Sequence, residues 1–192
     1  MTARTHDLAA ITSLGVVAIL APMPTISVAT AIVAVLANLI GGITPDIDQP
    51  TAPLWRNLPV GKYIGKLFDK MLGGHRFITH SILGLVLFGF LSHLLLSFLH
   101  PILGSININV VWWAFMIGMV SHLAMDTITK ESVPWLLPIP YKFGFPPIKS
   151  WRITTGSWVE SYIIFPGIII IAIWFYSHHI QSLTDILHQH IT

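Results

Sequence analysis

Long apolar runs with almost no charge limit what this chain can fold into more than any other feature. They cover residues 8–21 (5–21 if the helix begins at Thr5), 25–43, 78–99, 110–128 and 159–176. A helix needs about 20 predominantly apolar residues to cross a hydrocarbon layer, so a chain of 192 residues accommodates these five runs as spans with room for connections. Charged residues make up 9% of the chain, against roughly a quarter in soluble domains. The expectation is an all-α integral membrane protein, one membrane domain over residues 1–192, with about five transmembrane helices. Arg4 before the first run and Ala21 after it imitate a signal peptide. Ile19 stands where cleavage wants a small residue, so the run reads as an uncleaved anchor.

The basic residues orient these spans. All 10 Lys and Arg fall at the N-terminus (Arg4), in segment 44–77 or in segment 129–158. With five spans those three places share one side of the membrane. The positive-inside rule makes that side cytoplasmic, with the N-terminus inside and the C-terminus outside. The turn around Pro22 and Pro24, a second turn from His100-Pro101 to Asn109, and the tail lie opposite.

Segment 44–77 contains an amphipathic pattern over residues 60–72. Val60, Tyr63, Ile64, Leu67, Phe68, Met71 and Leu72 recur at helical spacing, with Lys62, Lys66 and Lys70 on another face. This predicts a helix either in the headgroup layer, with its lysines near anionic lipid, or packed on the bundle. Segment 133–158 carries five prolines among Trp135, Tyr141, Phe143, Phe145, Trp151 and Trp158, which predicts a capping loop at the interface. The tail, with Ile180, Leu183, Ile186, Leu187 and Ile191, reads as a short amphipathic helix carrying solvated histidines.

Chemistry-bearing side chains gather at the basic side. His6 opens span one, Asp46 and Asp48 close span two, His75 and His80 open span three, His122 and Asp126 close span four, and Glu160 opens span five. Ionisable groups at one membrane depth are expensive and usually functional. With 0 Cys and 10 His against 8 Asp plus Glu, a metal would be held by imidazole and carboxylate, a set that suits Zn²⁺ first, then Mn²⁺ or Fe, as one or two ions. A net charge of +2 offers no nucleic-acid footprint.

Each motif also has a plainer reading. His122 and Asp126 are four apart, so on a helix they can grip one ion or simply bond each other. Asp46 and Asp48 would point to one side of an extended backbone, or merely mark a turn after Pro45. His75 and His80 converge only if His75 sits on the loop after Gly73-Gly74. Arg76 either neutralises a phosphate or follows the positive-inside bias. Glu160 has capping-box spacing from Ser157, and His6 alone would be a terminal residue.

Taken together, Thr5-His6, Pro45-Asp46-Ile47-Asp48, His75-Arg76-x-x-Thr79-His80-Ser81, Ser121-His122-x-x-x-Asp126-x-x-Thr129, Val133-Pro134-x-Leu136-Leu137-Pro138 and Gly156-x-x-x-Glu160 resemble the YdjM-like bacterial inner-membrane proteins, described as membrane-bound metal-dependent hydrolases. The resemblance implies a helical protein of the bacterial inner membrane with a metal site. Two positions depart from the pattern: Gln49 stands where a His often follows the Asp pair, and Ser132 where a Gly usually precedes Val133.

The resulting expectation is hydrolysis of a lipid-like ester or phosphoester at the cytoplasmic face, with membrane lipids as partners. His6, Asp46, Asp48, His75, His80, His122, Asp126 and Glu160 are the candidate ligands; Glu160, Asp48 and Arg76 are the candidate catalytic groups. Ion or proton transport and a non-catalytic metal-binding scaffold are the competing readings. The absence of His-Glu-x-x-His speaks against an intramembrane metalloprotease.

Overall fold

The computed structural model describes residues 1–22, 24–74, 76–139, 141–186 and 188. Its long helices are α1 (Ala3–Leu20), α2 (Val28–Ile43), α5 (Ile82–Leu103), α6 (Ile108–Thr127) and α7 (Phe165–His178). The short ones are α3 (Pro53–Arg56), α4 (Gly61–Met71) and α8 (Ile180–Asp185). Counting the single turns fused to α2 and α7, five helices among the described residues are long and apolar enough to cross a membrane: Ala3–Leu20, Val28–Asp48, Ile82–Leu103, Ile108–Thr127 and Glu160–His178. The protein is an all-α membrane protein. Among the described residues its β pairing is limited to isolated bridges, including Thr129 to Ile153 and Val133 to Phe143.

Three of the helices, α2, α5 and α6, begin where short polar side chains take up orphan amide protons. Ser27 accepts from Thr30 N at 3.1 Å, Ser81 from Gly84 N at 3.1 Å, and Asn107 from Asn109 N and Val110 N at 3.1 and 3.3 Å. Two boundaries depart from the apolar runs. Residues 78–80 form a separate 3-10 turn, so α5 starts at Ile82 under its Ser81 cap. At its other end α5 continues through Pro101, where a turn was expected from residue 100, and stops at Gly104, whose φ of 59° ends the helix.

The core of the bundle is the crossing of α2 and α6. A Cβ on Gly118 would run into the backbone oxygen of Asn38, and one on Gly41 into that of Phe115. Only glycine allows this approach. Lipid supplies no hydrophobic force between helices, so close van der Waals contact holds them, together with the buried bond from Asn38 Nδ2 to Ala114 O at 3.0 Å. α1 joins through Ala9 and Ala10, the latter against Gly42.

The amphipathic pattern becomes α4. Its glycine face, Gly61 and Gly65, packs on Trp55 and Pro50, and Phe68 stacks on Trp55 at 5.6 Å. Tyr63, Leu67 and Met71 remain exposed beside the exposed Lys62, Lys66 and Lys70. The proline-rich segment folds into a cap. Val133 and Phe143 exchange backbone hydrogen bonds at 2.9 and 2.8 Å, and Ile82 N donates to Trp135 O at 3.0 Å, tying the cap to α5. In the tail, α8 covers Ile180 to Asp185; Leu187, His190 and Ile191 lie outside the described residues.

Candidate metal centre

The buried polar side chains collect at the end of the bundle where α1 begins and α2 and α6 finish. His6, Asp48, Arg76, His80, His122, Asp126 and Glu160 are each at most 5% exposed there. Helix ends explain the clustering: α1 and α5 run away from this layer, and α2 and α6 run into it.

Asp126 is the hub. One carboxylate oxygen, Oδ1, lies 2.5 Å from the Met1 amino group and 3.3 Å from His6 Nε2. The other, Oδ2, lies 2.6 Å from an Arg76 guanidinium nitrogen, 3.5 Å from His80 Nε2 and 3.7 Å from His122 Nε2. Asp46 Oδ1 faces the same histidines, 3.8 Å from His80 Nε2 and 3.6 Å from His122 Nε2. The His6 and His122 rings stack at 3.7 Å.

Hydrogen bonds fix the protonation of two of these rings. His122 Nδ1 is 2.6 Å from Gly42 O, and a carbonyl only accepts, so Nδ1 carries the proton and Nε2 presents its lone pair to the carboxylates. His80 Nδ1 is 2.9 Å from Thr79 Oγ1, whose own proton goes to Asp48. A hydroxyl has one proton, so Thr79 accepts from His80 Nδ1–H, and His80 Nε2 also faces Asp126 and Asp46.

These observations test the site for a cation. Separations of 3.3 to 3.8 Å exceed direct hydrogen bonds. They approach the roughly 3 to 3.6 Å that separates neighbouring donor atoms around an ion bound at about 2.0 to 2.2 Å. The Nε2 atoms of His6 and His122 are buried without a hydrogen-bond partner. Lone pairs facing carboxylate oxygens repel unless positive charge lies between them, so the donor set fits a divalent metal. Two triads have ligand atoms within 4.8 Å of one another: His6, His122 and Asp126, and Asp46, His80 and His122. Because His122 offers one lone pair and belongs to both, the triads are two sides of one centre.

The remaining expected residues take other places. Asp46 and Asp48 do not share a side, because Thr44–Asp48 is a 3-10 helix, where residues two apart diverge by about 120°. Asp46 turns to the histidines; Asp48 accepts from Arg76 N at 3.1 Å and from Thr79. Glu160 belongs to neither triad. It accepts from Thr2 N and Thr2 Oγ1 at 2.7 Å, Thr5 Oγ1 at 2.8 Å and Gly156 N at 2.7 Å, binding the N-terminus to the π turn Glu160–Ile164 that opens α7. Arg76 is buried on Asp126, with Thr129 Oγ1 at 2.9 Å and Glu131 at 3.3 Å. His75 lies outside the described residues.

A cavity of about 260 Å³ reaches this layer, lined by Asp46, Gln49, Thr51, Arg76, Glu131 and Thr155 among others. Asp46 is 23% exposed, whereas the histidines it faces are buried, so it forms the edge between centre and cavity. Several participants carried no signal in the sequence: the Gly42 carbonyl, the Met1 amine and Glu131. Thr79 did stand inside a quoted motif, but its relay between Asp48 and His80 needed the fold to be seen.

Fold and site together define a multi-pass helical membrane protein with a buried histidine and carboxylate centre at one end. The chain belongs to the YdjM inner membrane protein family, whose model matches residues 1–182. It is also similar to the uncharacterized protein YvsG of Bacillus subtilis (strain 168), at 26% identity over 129 residues, 67% of this chain and 69% of that protein. No solved structure matches it.

Proposed function

We propose that this protein is a membrane-bound metal-dependent hydrolase whose centre holds a divalent ion, zinc by preference and manganese or iron otherwise, through His6, Asp46, His80, His122 and Asp126. The supporting observation is the convergence of imidazole Nε2 atoms and two carboxylates at 3.3 to 3.8 Å, with the Nε2 atoms of His6 and His122 lacking hydrogen bonds. A divalent ion bound there supplies Lewis-acid polarisation of a substrate carbonyl or phosphoryl oxygen.

The protein's own groups do the rest. Asp46, at the mouth of the cavity, accepts a proton from water entering there. Arg76 lines the same cavity and offsets negative charge on a bound ester or phosphoester. Asp48 holds the Arg76 backbone and Thr79 in position. Glu160 anchors the N-terminal segment so that His6 reaches the centre. Because the cavity lies at the end of a membrane bundle, a lipid-like substrate arriving along the bilayer is the best match. The distribution of all 10 Lys and Arg supports a cytoplasmic location for this end, with the C-terminus outside.

Elemental analysis of detergent-purified protein, paired with a lipid-ester and phosphoester hydrolysis screen, tests the reading. The expected result is about one metal per chain and turnover lost in His122→Ala and Asp126→Ala. Metal-free wild-type protein, or turnover unchanged in both variants, overturns it.

A further inference from the structure

α5 carries polar side chains on a face that lipid would cover. His93, Ser97 and His100 are spaced i, i+4 and i+7, so they fall on one stripe, and all three are exposed. Phe90 and Leu94 border the stripe on one side and are 61 and 49% exposed. His93 stands eleven residues into this 22-residue helix, about 16 Å from its start and so near the middle of a hydrocarbon layer about 30 Å thick. Its short side chain cannot reach either interface. Among the described residues it is the one His, Lys, Arg, Asp or Glu exposed midway along a spanning helix, and it makes no hydrogen bond there.

Its one ring contact is with Trp112 of α6, edge to face, centroids 6.0 Å apart with an interplanar angle of 86°. Trp112 is itself held by a 2.8 Å bond from its indole nitrogen to Gly89 O. The imidazole is therefore steadied on one side while the residue stays exposed. Unsatisfied donors and acceptors in lipid are costly, and polar residues in membranes are commonly satisfied across a helix–helix interface.

We infer that the His93, Ser97 and His100 stripe of α5 is the contact between two copies of this chain, related by a two-fold axis along the membrane normal. The chemistry favours a second copy over other occupants. A neutral imidazole has one donor and one acceptor, and a serine hydroxyl has both, so the stripe complements itself. A two-fold axis along the normal sets the two α5 helices parallel and brings residues of equal depth together, so His93 of one protomer meets its counterpart on the other, and Ser97 likewise meets Ser97. α7, by contrast, exposes Ile170, Ile171, Ile173 and Trp174, which lipid satisfies.

The chain has 0 Cys, so single cysteines give unambiguous cross-links. Ser97→Cys in native membranes should form a disulfide-linked dimer on mild oxidation; Ile170→Cys on α7 should not. In detergent, the mass of the wild-type particle should be that of a dimer, and His93→Leu should weaken self-association about 10-fold while leaving metal content unchanged. A monomeric wild-type particle with no cross-link at Ser97→Cys overturns the inference. So does a product whose mass is that of this chain joined to a different protein.

Discussion

His122 Nδ1 lies 2.6 Å from the backbone oxygen of Gly42, and that single bond decides which nitrogen of the ring faces the carboxylates of Asp46 and Asp126. It runs between the two most closely packed helices, α2 and α6, so the crossing that builds the bundle also sets the tautomer of its central histidine. Glycine at position 42 leaves α1 and α2 close enough for His6 to stack on the same ring.

Replacing His122 by Ala removes the residue common to both triads. Metal content after purification should fall to background, and thermal unfolding of the wild type should move down on chelation while the variant no longer responds. A ligand present at about 100 times its dissociation constant contributes about 2.7 kcal/mol to the folded state, a shift calorimetry or a thermal melt resolves. An equal response to chelator in both proteins would exclude His122 as a ligand.

Thr79 carries the proton link between His80 and Asp48. Thr79→Val keeps the shape and removes the hydroxyl, so His80 loses the partner that fixes its tautomer; metal affinity should fall about 10- to 100-fold. Thr79→Ser retains the hydroxyl and should restore most of it. Titration with zinc against a competing chelator measures both, and equal affinity in Val and Ser variants would leave Thr79 a packing residue.

For Glu160, the structure favours an anchor over a ligand. Glu160→Gln keeps an acceptor but loses the charge that draws four donors, so stability should drop by about 1 to 3 kcal/mol. Metal bound per folded molecule should stay near the wild-type value. Loss of metal without loss of stability in this variant would return Glu160 to the ligand set.

At the crossing of α2 and α6, Gly118→Leu should prevent the close approach to Asn38 and lower the melting temperature sharply, since overpacking alone costs about 1 to 3 kcal/mol and here meets backbone. Gly167→Ala, where nothing lies within 4 Å, is the matched control and should be neutral. Thermal melts in detergent read both.

The helical spans were legible because hydrocarbon imposes a length and an apolar composition that the sequence displays openly. The alternation of helix starts and ends also placed His6, Asp46, His80, His122 and Asp126 at one level. Less visible was how neighbours divide their work. Asp46 and Asp48 separate only because Pro45 opens a 3-10 turn, and the spacing of two was equally compatible with an extended strand. Ser132, a departure from the family pattern, has φ 62°, a conformation where glycine is less strained, which gives the usual residue there a backbone reason. The Arg76 side chain reads as cationic in sequence, but its burial against Asp126 depends on a loop whose φ at Arg76 is 60°.

Glu160 receives its hydrogen bonds from Thr2 and Thr5, 158 and 155 positions away in sequence. The first spanning helix of the bundle is thus fastened by the fifth. The helix that carries His6 therefore owes its anchor to a span more than 150 positions away, so the buried cluster is complete only when the two are packed together. Assembly of the cluster is thereby coupled to assembly of the bundle.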